Sequence, residues 1–267
     1  MKAFWPALLL LAGCSPQRAI APGQIVSNNP CVDAVLAEIA APDQIGAVSI
    51  WSHDPASASA PLGWAQARPA LGLTAEEVIA ARPRLLLTGN LALGGTNAAL
   101  TKAGIPLRTY GVPATMAESV AQVHDIGRAI GRSAEASALA ERITHAARPV
   151  AGPPRKTAII WQSGGFVPGN GTLQDELLDR AGFINASRSY GLAQWDILPI
   201  ETLLQNPPDL IFMPDSGSGE DGRALAARQR LLRHLGERTQ IIPFPDKLLF
   251  CGGPSIIEAM RRMKAAA

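Results

Sequence analysis

Residues 116–147, MAESVAQVHDIGRAIGRSAEASALAERITHAA, form a stretch of 32 residues without proline in the middle of the chain. Apolar side chains recur in it at helical spacing, at Met116, Val120, Val123, Ile126, Ile130, Leu139 and Ile143. One continuous helix of this length would extend about 48 Å, which is too long for an ordinary crossover between two strands. We therefore predict a long helix that connects two lobes stiffly. Gly127 and Gly131 are interruptions that it can tolerate, and a break near Arg132–Ser133 is the alternative.

Strand-like apolar runs alternate with helical patterns on both sides of this stretch. Such alternation predicts a mostly parallel α/β sheet. The predicted strands lie at 24–27, 45–50, 85–88, 107–110, 157–162, 210–213 and 240–244. The predicted helices lie at 31–39, 74–82, 98–103, 174–181, 200–205, 224–235 and 255–264. Asn28-Asn29-Pro30 has the composition of a turn, and the Ser-, Ala- and Pro-rich segment 52–69 is predicted to be a loop.

The bulk composition is that of an ordinary globular protein with room for two lobes. The chain has 267 residues, of which 47% are apolar and 17% are charged, with a formal net charge of +2. No block of like charges and no basic stripe is present, so the sequence does not favour a nucleic-acid partner.

The N-terminus has the features of a targeting segment. Met1-Lys2 precedes a short apolar run, and Leu11-Ala12-Gly13-Cys14 resembles a bacterial lipobox. The run is too short to span a bilayer. We expect residues 1–14 to be a lipoprotein signal segment with lipid on Cys14, residues 15–23 to be a tether, and the lipid to be the membrane attachment. A frayed N-terminal helix is the alternative.

Two further cysteines remain, Cys31 and Cys251. In an oxidising compartment an even remainder permits one disulfide between them. Two buried free thiols, or a thiol that faces a ligand, are the alternatives, because the sequence does not give the distance between the two Cα atoms.

A weak internal repeat relates the two lobes. The segment EEVIAARPRL at 76–85 aligns with ETLLQNPPDL at 201–210. In each, a glutamate, Glu76 or Glu201, lies seven residues before a proline that precedes a predicted strand. Two lobes of similar build would produce this pattern, and so would chance.

These features together resemble a known family. The opening VSNNPCVDAVL (26–36), AVSIWSHDP (47–55), the two Glu–helix–Pro–strand units, the middle helix, SGGFVPGNGTLQDELLDRAGFIN (163–185) and FCGGPSIIEAM (250–260) occur in the order found in ABC-transporter substrate-binding proteins. Among these proteins, the sequence resembles those that bind vitamin B12, iron–siderophores or haem. The resemblance covers roughly residues 24–267.

The resemblance implies an α/β fold of two Rossmann-like lobes joined by a single long helix. The lobes would comprise 24–115 and 149–267, and the linking helix 116–148. It implies a monomeric periplasmic protein, without catalytic activity or a cofactor of its own, that delivers a metal complex to an ABC permease and ATPase. Glu76 and Glu201 would dock onto permease arginines. Glu77 competes with Glu76, and ordinary first-turn helix charges are the alternative for all of them.

The ligand cleft is predicted from aromatic and polar residues that follow strands, because ligands gather at the carboxyl ends of parallel strands. The candidates are Trp51, His53, Phe166, Trp195, Phe250 and Cys251. Trp195 occupies the position at which the B12-binding relatives carry a cleft tryptophan. The corresponding position before the first glutamate is Ala70, a departure from the B12-binding pattern. Core packing is the alternative for each aromatic residue, and a solvated loop residue is the alternative for His53.

Two other functions fit the sequence less well than ligand transport. A bare zinc or manganese site needs about three histidines with a carboxylate, whereas His124, His145 and His234 fall on predicted helices, so we predict no metal site formed by the protein. A periplasmic enzyme would need a nucleophile–base pair. The sequence contains no G-x-S-x-G, no P-loop and no H-E-x-x-H motif.

Overall fold

The computed structural model describes residues 20, 21, 23–89, 95–153, 156–162, 165–214, 230, 231, 233–235, 238–248 and 250–267. Cys14 with its predicted lipobox, most of the tether and most of the predicted helix at 224–235 lie outside these residues. Nowhere in the described part of the chain is a helix both long enough and apolar enough for a membrane span.

The first half of the chain builds a parallel sheet of five strands in the order β3-β2-β1-β4-β5. These strands are β1 (Ile25–Ser27), β2 (Ile45–Ser49), β3 (Ala70–Leu71), β4 (Leu85–Gly89) and β5 (Leu107–Tyr110). The helices of this half are α1 (Pro30–Ile39), α2 (Leu62–Gln66), α3 (Ala75–Ala81) and α4 (Thr96–Lys102). The four strands predicted here are confirmed. The predicted loop at 52–69 is wrong in part, because it contains α2, where Ala65 is fully buried.

Local side-chain hydrogen bonds explain where two of these helices begin. The Asn29 side chain accepts a hydrogen bond from the Cys31 amide at 2.9 Å, and Pro30 occupies the first position of α1. Thr74 caps α3 in the same way through the Glu77 amide at 3.3 Å. Both caps satisfy amides that would otherwise lack a partner at a helix start.

The second half builds a parallel sheet of four strands in the order β11-β10-β6-β8. These strands are β6 (Lys156–Ile160), β8 (Phe183–Asn185), β10 (Leu210–Met213) and β11 (Gln240–Pro243). A separate antiparallel pair, β7 (Phe166–Pro168) and β9 (Trp195–Ile197), was not predicted from the sequence. The helices of this half whose bounds lie within the described residues include α7 (Leu173–Arg180), α8 (Ile200–Gln205) and α9 (Ser255–Ala266). Together the two parallel sheets confirm the predicted two-lobed α/β class.

The prediction of one long connecting helix is wrong, and the alternative break is where the structure interrupts it. The segment forms α5 (Met116–Ile130) and α6 (Ser133–Ala146), which pack against each other. Gly131 ends α5 in a left-handed conformation, with φ of 74°, which glycine adopts without steric penalty. The Arg132 amide then donates to the Gly127 carbonyl at 2.7 Å. At fifteen residues, α5 extends about 22 Å.

A layer of helices lies between the two sheets and joins them. One continuous cluster of buried apolar residues includes Ile25 of the first sheet, Ile126 and Ile143 of α5 and α6, and Phe212 of the second sheet. Helix α6 also contacts α1 and α9. The lobes are therefore connected by shared apolar packing as well as by the chain.

Candidate ligand-binding site

A pocket of about 340 Å³ opens at the carboxyl ends of the first lobe's strands. The turn after β1 contributes Asn28, the segment after β2 contributes Trp51, and β4 ends at the pocket with Thr88 and Gly89. This is the position at which open parallel sheets bind ligands, and the volume is in the range of small-molecule sites.

One face of α5 forms a second wall of the pocket. Ser119, Gln122, Val123 and Ile126 all line it, at the spacing that places residues on one side of a helix. Val123 and Ile126 are also buried in the core cluster. The wall is therefore held by the same packing that joins the two lobes.

Two large aromatic side chains lie at the pocket while remaining half exposed. Trp51 is 49% exposed and Phe250 is 48% exposed, although both line the pocket. The neighbouring Val112, which follows β5, also lines it and is 54% exposed. Several exposed apolar residues around one concavity indicate a surface that a ligand covers.

A disulfide brings Phe250 from the end of the chain to the first lobe. Cys31 of α1 and Cys251 are bonded, with 5.1 Å between their Cα atoms. Gly252 follows in close contact with the start of α5, because a β-carbon there would come within 2.6 Å of the Ser119 hydroxyl oxygen. The Gly253 amide donates to the same oxygen at 2.7 Å. These contacts fix the Phe250 backbone at the pocket mouth.

The pocket lining carries no charge. None of the described residues that form it is Asp, Glu, Lys, Arg or His. Tyr110 lines it, but its hydroxyl donates to Asp125 at 3.0 Å. Burial, this hydrogen bond and the negative charge of Asp125 raise the pKa of Tyr110. The phenol therefore stays protonated and neutral.

A buried carboxyl group lies beneath this surface. Asp33 of α1 accepts hydrogen bonds from the Ser49 amide at 2.8 Å and the Ser52 hydroxyl at 2.6 Å. Complete burial raises the pKa of Asp33 to about 7, against the opposing effect of the neighbouring Ser27, Ser52 and Ser49. Asp33 does not line the pocket, and its hydrogen bonds tie α1 to the segment that carries Trp51.

The structure brings only some of the predicted ligand residues together. Trp51 and Phe250 share the pocket, whereas the described lining does not include His53 or Cys251. The Nε2 atom of His53 is buried without a hydrogen-bond partner in the described structure. The Cys251 sulfur is held in the disulfide, so of the three possibilities for the thiols the structure contains the bonded one.

The two aromatic residues predicted in the second lobe form a separate pair. Phe166 of β7 and Trp195 of β9 are stacked, with ring centroids 5.4 Å apart and an interplanar angle of 15°. Phe166 is 38% exposed, and the adjacent Ile197 is 60% exposed. Neither ring of the pair lines the pocket. The pair is a second, partly exposed aromatic surface.

Several lining residues were not predicted from the sequence. Asn28 and Thr88 line the pocket while almost fully buried, at 4% and 0% exposure. The sequence feature that could have identified them is a polar residue at the end of an apolar strand. For Asn28 this feature was interpreted as part of a turn. Gln122 on α5 gave no signal beyond its helical position.

The two glutamates of the internal repeat occupy equivalent places. Glu76 and Glu201 are each the second residue of a helix, α3 and α8, and both are exposed. The competing Glu77 accepts a hydrogen bond from the Thr74 hydroxyl at 3.1 Å, as part of the helix cap. No hydrogen bond or ion pair holds the Glu76 or Glu201 carboxylate within the described structure.

Comparisons with known proteins agree with this architecture. The family model for periplasmic binding protein matches residues 25–235. The periplasmic heme-binding protein RhuT from Roseiflexus sp. RS-1, in its apo form, superposes with a TM-score of 0.70 at 21% identity, covering 92% of this chain and 99% of that one. A periplasmic heme-binding protein from Pseudomonas aeruginosa gives a TM-score of 0.72 at 20% identity, covering 92% of each chain.

A third solved structure, the periplasmic heme-binding protein HutB of Vibrio cholerae, gives a TM-score of 0.72 at 19% identity. It covers 91% of this chain and 98% of that one. A search of curated proteins returns no significant match. At these identities the solved structures show a shared fold.

Proposed function

The chain belongs to the periplasmic binding protein family, and on that premise we propose that it captures a metal complex for an ABC importer. The ligand is a corrinoid, a ferric siderophore or haem, taken up in the pocket between β1, β4 and α5. The observation that carries this proposal is the uncharged pocket with two half-exposed aromatic side chains, Trp51 and Phe250, at its mouth. Rigid aromatic planes suit a large, partly apolar ligand.

The described pocket lining offers no free His, Tyr, Cys or Met side chain to coordinate a metal. This favours a complex in which the metal's coordination sites are already filled by its own ligand. Haem iron in proteins is held by His, Tyr, Cys or Met side chains. In the described lining, Tyr110 is engaged with Asp125 and Cys31 is in a disulfide. The neighbouring segments 90–94 and 163–164 contain none of these residue types. We therefore place a corrinoid or a siderophore before haem, although haem is named for the solved structures of the same fold.

The second lobe offers a further contact surface. The stacked Phe166–Trp195 pair would cover the part of a large ligand that projects from the pocket. A two-sided arrangement explains why exposed aromatic rings occur in both lobes, since a soluble protein gains no stability from leaving them in water.

Glu76 and Glu201 are the proposed docking points for the permease. Each is exposed in the first turn of its helix, one helix in each lobe, and neither carboxylate is engaged by the described structure. Glu76 is favoured over Glu77, because Glu77 takes part in the cap with Thr74. A pair of free carboxylates, one on each lobe, suits recognition by cationic side chains of a partner.

We place the protein in the periplasm as a monomer, attached to a membrane by lipid on Cys14. The apolar run that ends in Leu11-Ala12-Gly13-Cys14 supports this attachment. Several acyl chains on one cysteine would anchor it durably. The family's role in binding, rather than catalysis, agrees with an importer component.

An uptake assay tests the delivery step. Cells that lack the gene are complemented with the wild type, with Glu76→Ala/Glu201→Ala, or with Glu141→Ala, which removes an exposed carboxylate of α6. We expect the double variant to lower uptake of the radiolabelled complex to below about a tenth of the wild-type rate, because both charge contacts are lost. Its ligand affinity, measured by calorimetry on the purified protein, should not change.

The Glu141→Ala control should transport the complex as the wild type does. Wild-type uptake by the double variant would exclude the docking role. Failure of the purified wild type to bind cyanocobalamin, ferrichrome and haemin would contradict the proposed function itself.

A further inference from the structure

Two polar side chains lie next to each other at the ends of neighbouring strands. The parallel register pairs Ser27 of β1 with Leu87 of β4. The backbone amide of Asn28 continues this register, because it donates to the Leu87 carbonyl at 3.3 Å. Asn28 and Thr88 are therefore adjacent positions, and both line the pocket. Neighbouring strands lie about 4.8 Å apart, so one ligand group could contact both side chains.

Most of the other polar groups around this point already have partners. The Asn29 side chain caps α1, and the Ser27 hydroxyl bonds within the same turn. The Ser49 amide and the Ser52 hydroxyl donate to Asp33. The Oδ1 atom of Asp33 is buried without a partner in the described structure, but Asp33 does not line the pocket. Among the described lining residues, those whose buried side-chain polar atoms lack a hydrogen bond are Asn28 and Thr88.

The side-chain amide of Asn28 and the hydroxyl of Thr88 are buried without partners. Both side-chain polar atoms of Asn28 and the Thr88 oxygen make no hydrogen bond in the described structure. Asn28 is only 4% exposed and Thr88 is fully buried. Buried polar groups are nearly always hydrogen-bonded in folded proteins, so each exception needs a reason. Both residues line the pocket, so a group bound there is the candidate for the missing partner.

The chemistry of these groups defines what they can bind. An asparagine amide supplies two donor hydrogens and an acceptor oxygen, and a threonine hydroxyl can donate and accept. The described lining contains no cation that could balance a carboxylate or a phosphate. Bringing an unpaired charge into such a site is strongly unfavourable. A neutral group that both donates and accepts satisfies every atom.

We propose that Asn28 and Thr88 form the polar floor of the pocket and bind a neutral amide or hydroxyl group of the metal complex. The inference rests on the proposed function and names the ligand chemistry that the site selects. Complexes that present amides or hydroxyl groups on this side are accepted, and complexes that present carboxylates are rejected. Amide-bearing corrinoids and neutral ferric siderophores meet this requirement, whereas the propionates of haem do not.

Matched ligand pairs that differ in charge test the selectivity. Calorimetry compares cyanocobalamin with its monocarboxylic derivatives, in which one side-chain amide is hydrolysed, and haemin with its amide derivative, in which the propionates are converted to amides. In each pair that binds, we expect the neutral member to bind at least about tenfold more tightly, because the carboxylate loses hydration without gaining a cation. Tighter binding of the charged members would overturn the proposal.

Two isosteric variants test the residues. Asn28→Leu and Thr88→Val remove polar atoms without changing side-chain size much, and Thr144→Val is the matched control on the exposed face of α6. We expect each pocket variant to raise the dissociation constant of the neutral ligand about tenfold, because one buried hydrogen bond to it is lost. Their melting temperatures should equal or exceed that of the wild type, since the removed atoms have no partner in the unliganded fold.

The outcomes separate this inference from the proposed function. A wild type that binds a complex, together with pocket variants that bind it equally well, would overturn the role of Asn28 and Thr88 alone. A wild type that binds none of the complexes would overturn both. Weaker binding by the pocket variants but not by Thr144→Val, with no loss of thermal stability, is the result that the proposal predicts.

Discussion

Adjacent residues of the same type have different tasks at the start of the first lobe. Asn29 caps α1 with its side chain, whereas the side chain of its neighbour Asn28 lies in the pocket without a partner. The sequence identifies both as turn residues, because the composition of Asn-Asn-Pro predicts only the change in chain direction. The difference between them comes from the strand register, which the sequence does not specify.

Asp33 makes the stability of the first lobe depend on pH. Its folded-state pKa is raised to about 7 from the usual 3.8 of an aspartate, with burial as the largest cause. Below the lower value the carboxyl group is protonated in both states. Between the two values only the unfolded chain releases the proton, so the free energy of unfolding falls as pH rises. Above pH 7 both states are ionised, and the free energy of unfolding remains lower by about 4 kcal/mol at most.

Asp33→Asn should therefore remove part of this pH dependence. Urea unfolding between pH 4.5 and 7.5 is compared for the wild type, Asp33→Asn and the exposed control Asp43→Asn. We expect the wild type to lose about 2–4 kcal/mol more than Asp33→Asn across this range, and the control to follow the wild type. Parallel curves for the wild type and Asp33→Asn would show that Asp33 does not titrate in this window.

The sequence predicted the aromatic residues of the pocket better than its polar ones. Trp51 and Phe250 were found because large apolar residues after strands are distinctive, and the structure places both at one mouth. His53 follows the same strand and was proposed on the same grounds, but it does not line the pocket. Trp51 and His53 both lie in a short 3-10 helix, Ile50–His53, in which residues two positions apart point to different sides. The local sequence pattern does not predict this turn.

At the scale of elements, the middle segment shows what helical periodicity leaves open. Gly127 and Gly131 looked equivalent in sequence, as two interruptions of one helix. In the structure Gly131 ends α5 in a left-handed conformation, whereas Gly127 allows α5 to approach α6. Periodicity is the same for one long helix and for two helices that pack face to face, so the turn at Gly131 had to come from tertiary structure.

The contact between α5 and α6 gives a specific prediction for Gly127. A β-carbon at this position would lie 2.3 Å from the Ala136 β-carbon and 3.0 Å from the Arg132 carbonyl oxygen. Gly127→Ala should lower the free energy of unfolding by roughly 1–3 kcal/mol, because the two helices must separate. Chemical denaturation measures this change.

Gly63→Ala provides the matched control. Gly63 lies in α2, and nothing is within 4 Å of the β-carbon that alanine would add. Alanine there should be neutral or stabilising by up to about 1 kcal/mol, from helix propensity. If Gly127→Ala were as stable as Gly63→Ala, the close packing of α5 against α6 would be contradicted.

The antiparallel pair β7–β9 could not be predicted from the sequence, for a different reason. Each strand has three residues, and two-residue alternation cannot be recognised over so short a run. The partners are also about thirty residues apart in sequence, so no turn signal connects them. Trp195 and Phe166 were predicted as separate loop residues, although their stacking depends on this pairing.

At the scale of the whole molecule, the lobes are tied together at several places. The apolar cluster extends through both sheets, and the Cys31–Cys251 disulfide links residues 220 positions apart. The amide of Met116, at the start of α5, also donates to Glu176 of α7 at 2.7 Å. Such connections favour a cleft of nearly constant shape, in which the pocket is formed before a ligand arrives.

The two-lobed α/β class could be predicted because alternation of strands and helices on either side of a proline-free segment is a property of the whole chain. The site was only partly predictable. Its walls come from β1, β4, α5 and the segment before α9, which are distant in sequence and meet through the disulfide and the packing of Gly252 against Ser119. Predicting that convergence requires the tertiary structure.

The most direct test of the central claim is the dissociation constant of the metal complex, measured by calorimetry for the wild type, Trp51→Ala and Ile79→Ala. Ile79 is 43% exposed on α3, close to the 49% of Trp51, and does not line the pocket. We predict one-to-one binding that Trp51→Ala weakens about tenfold, through loss of roughly 1.5 kcal/mol of apolar contact, and that Ile79→Ala leaves unchanged. Equal dissociation constants for the wild type and Trp51→Ala would contradict capture of the complex at this pocket.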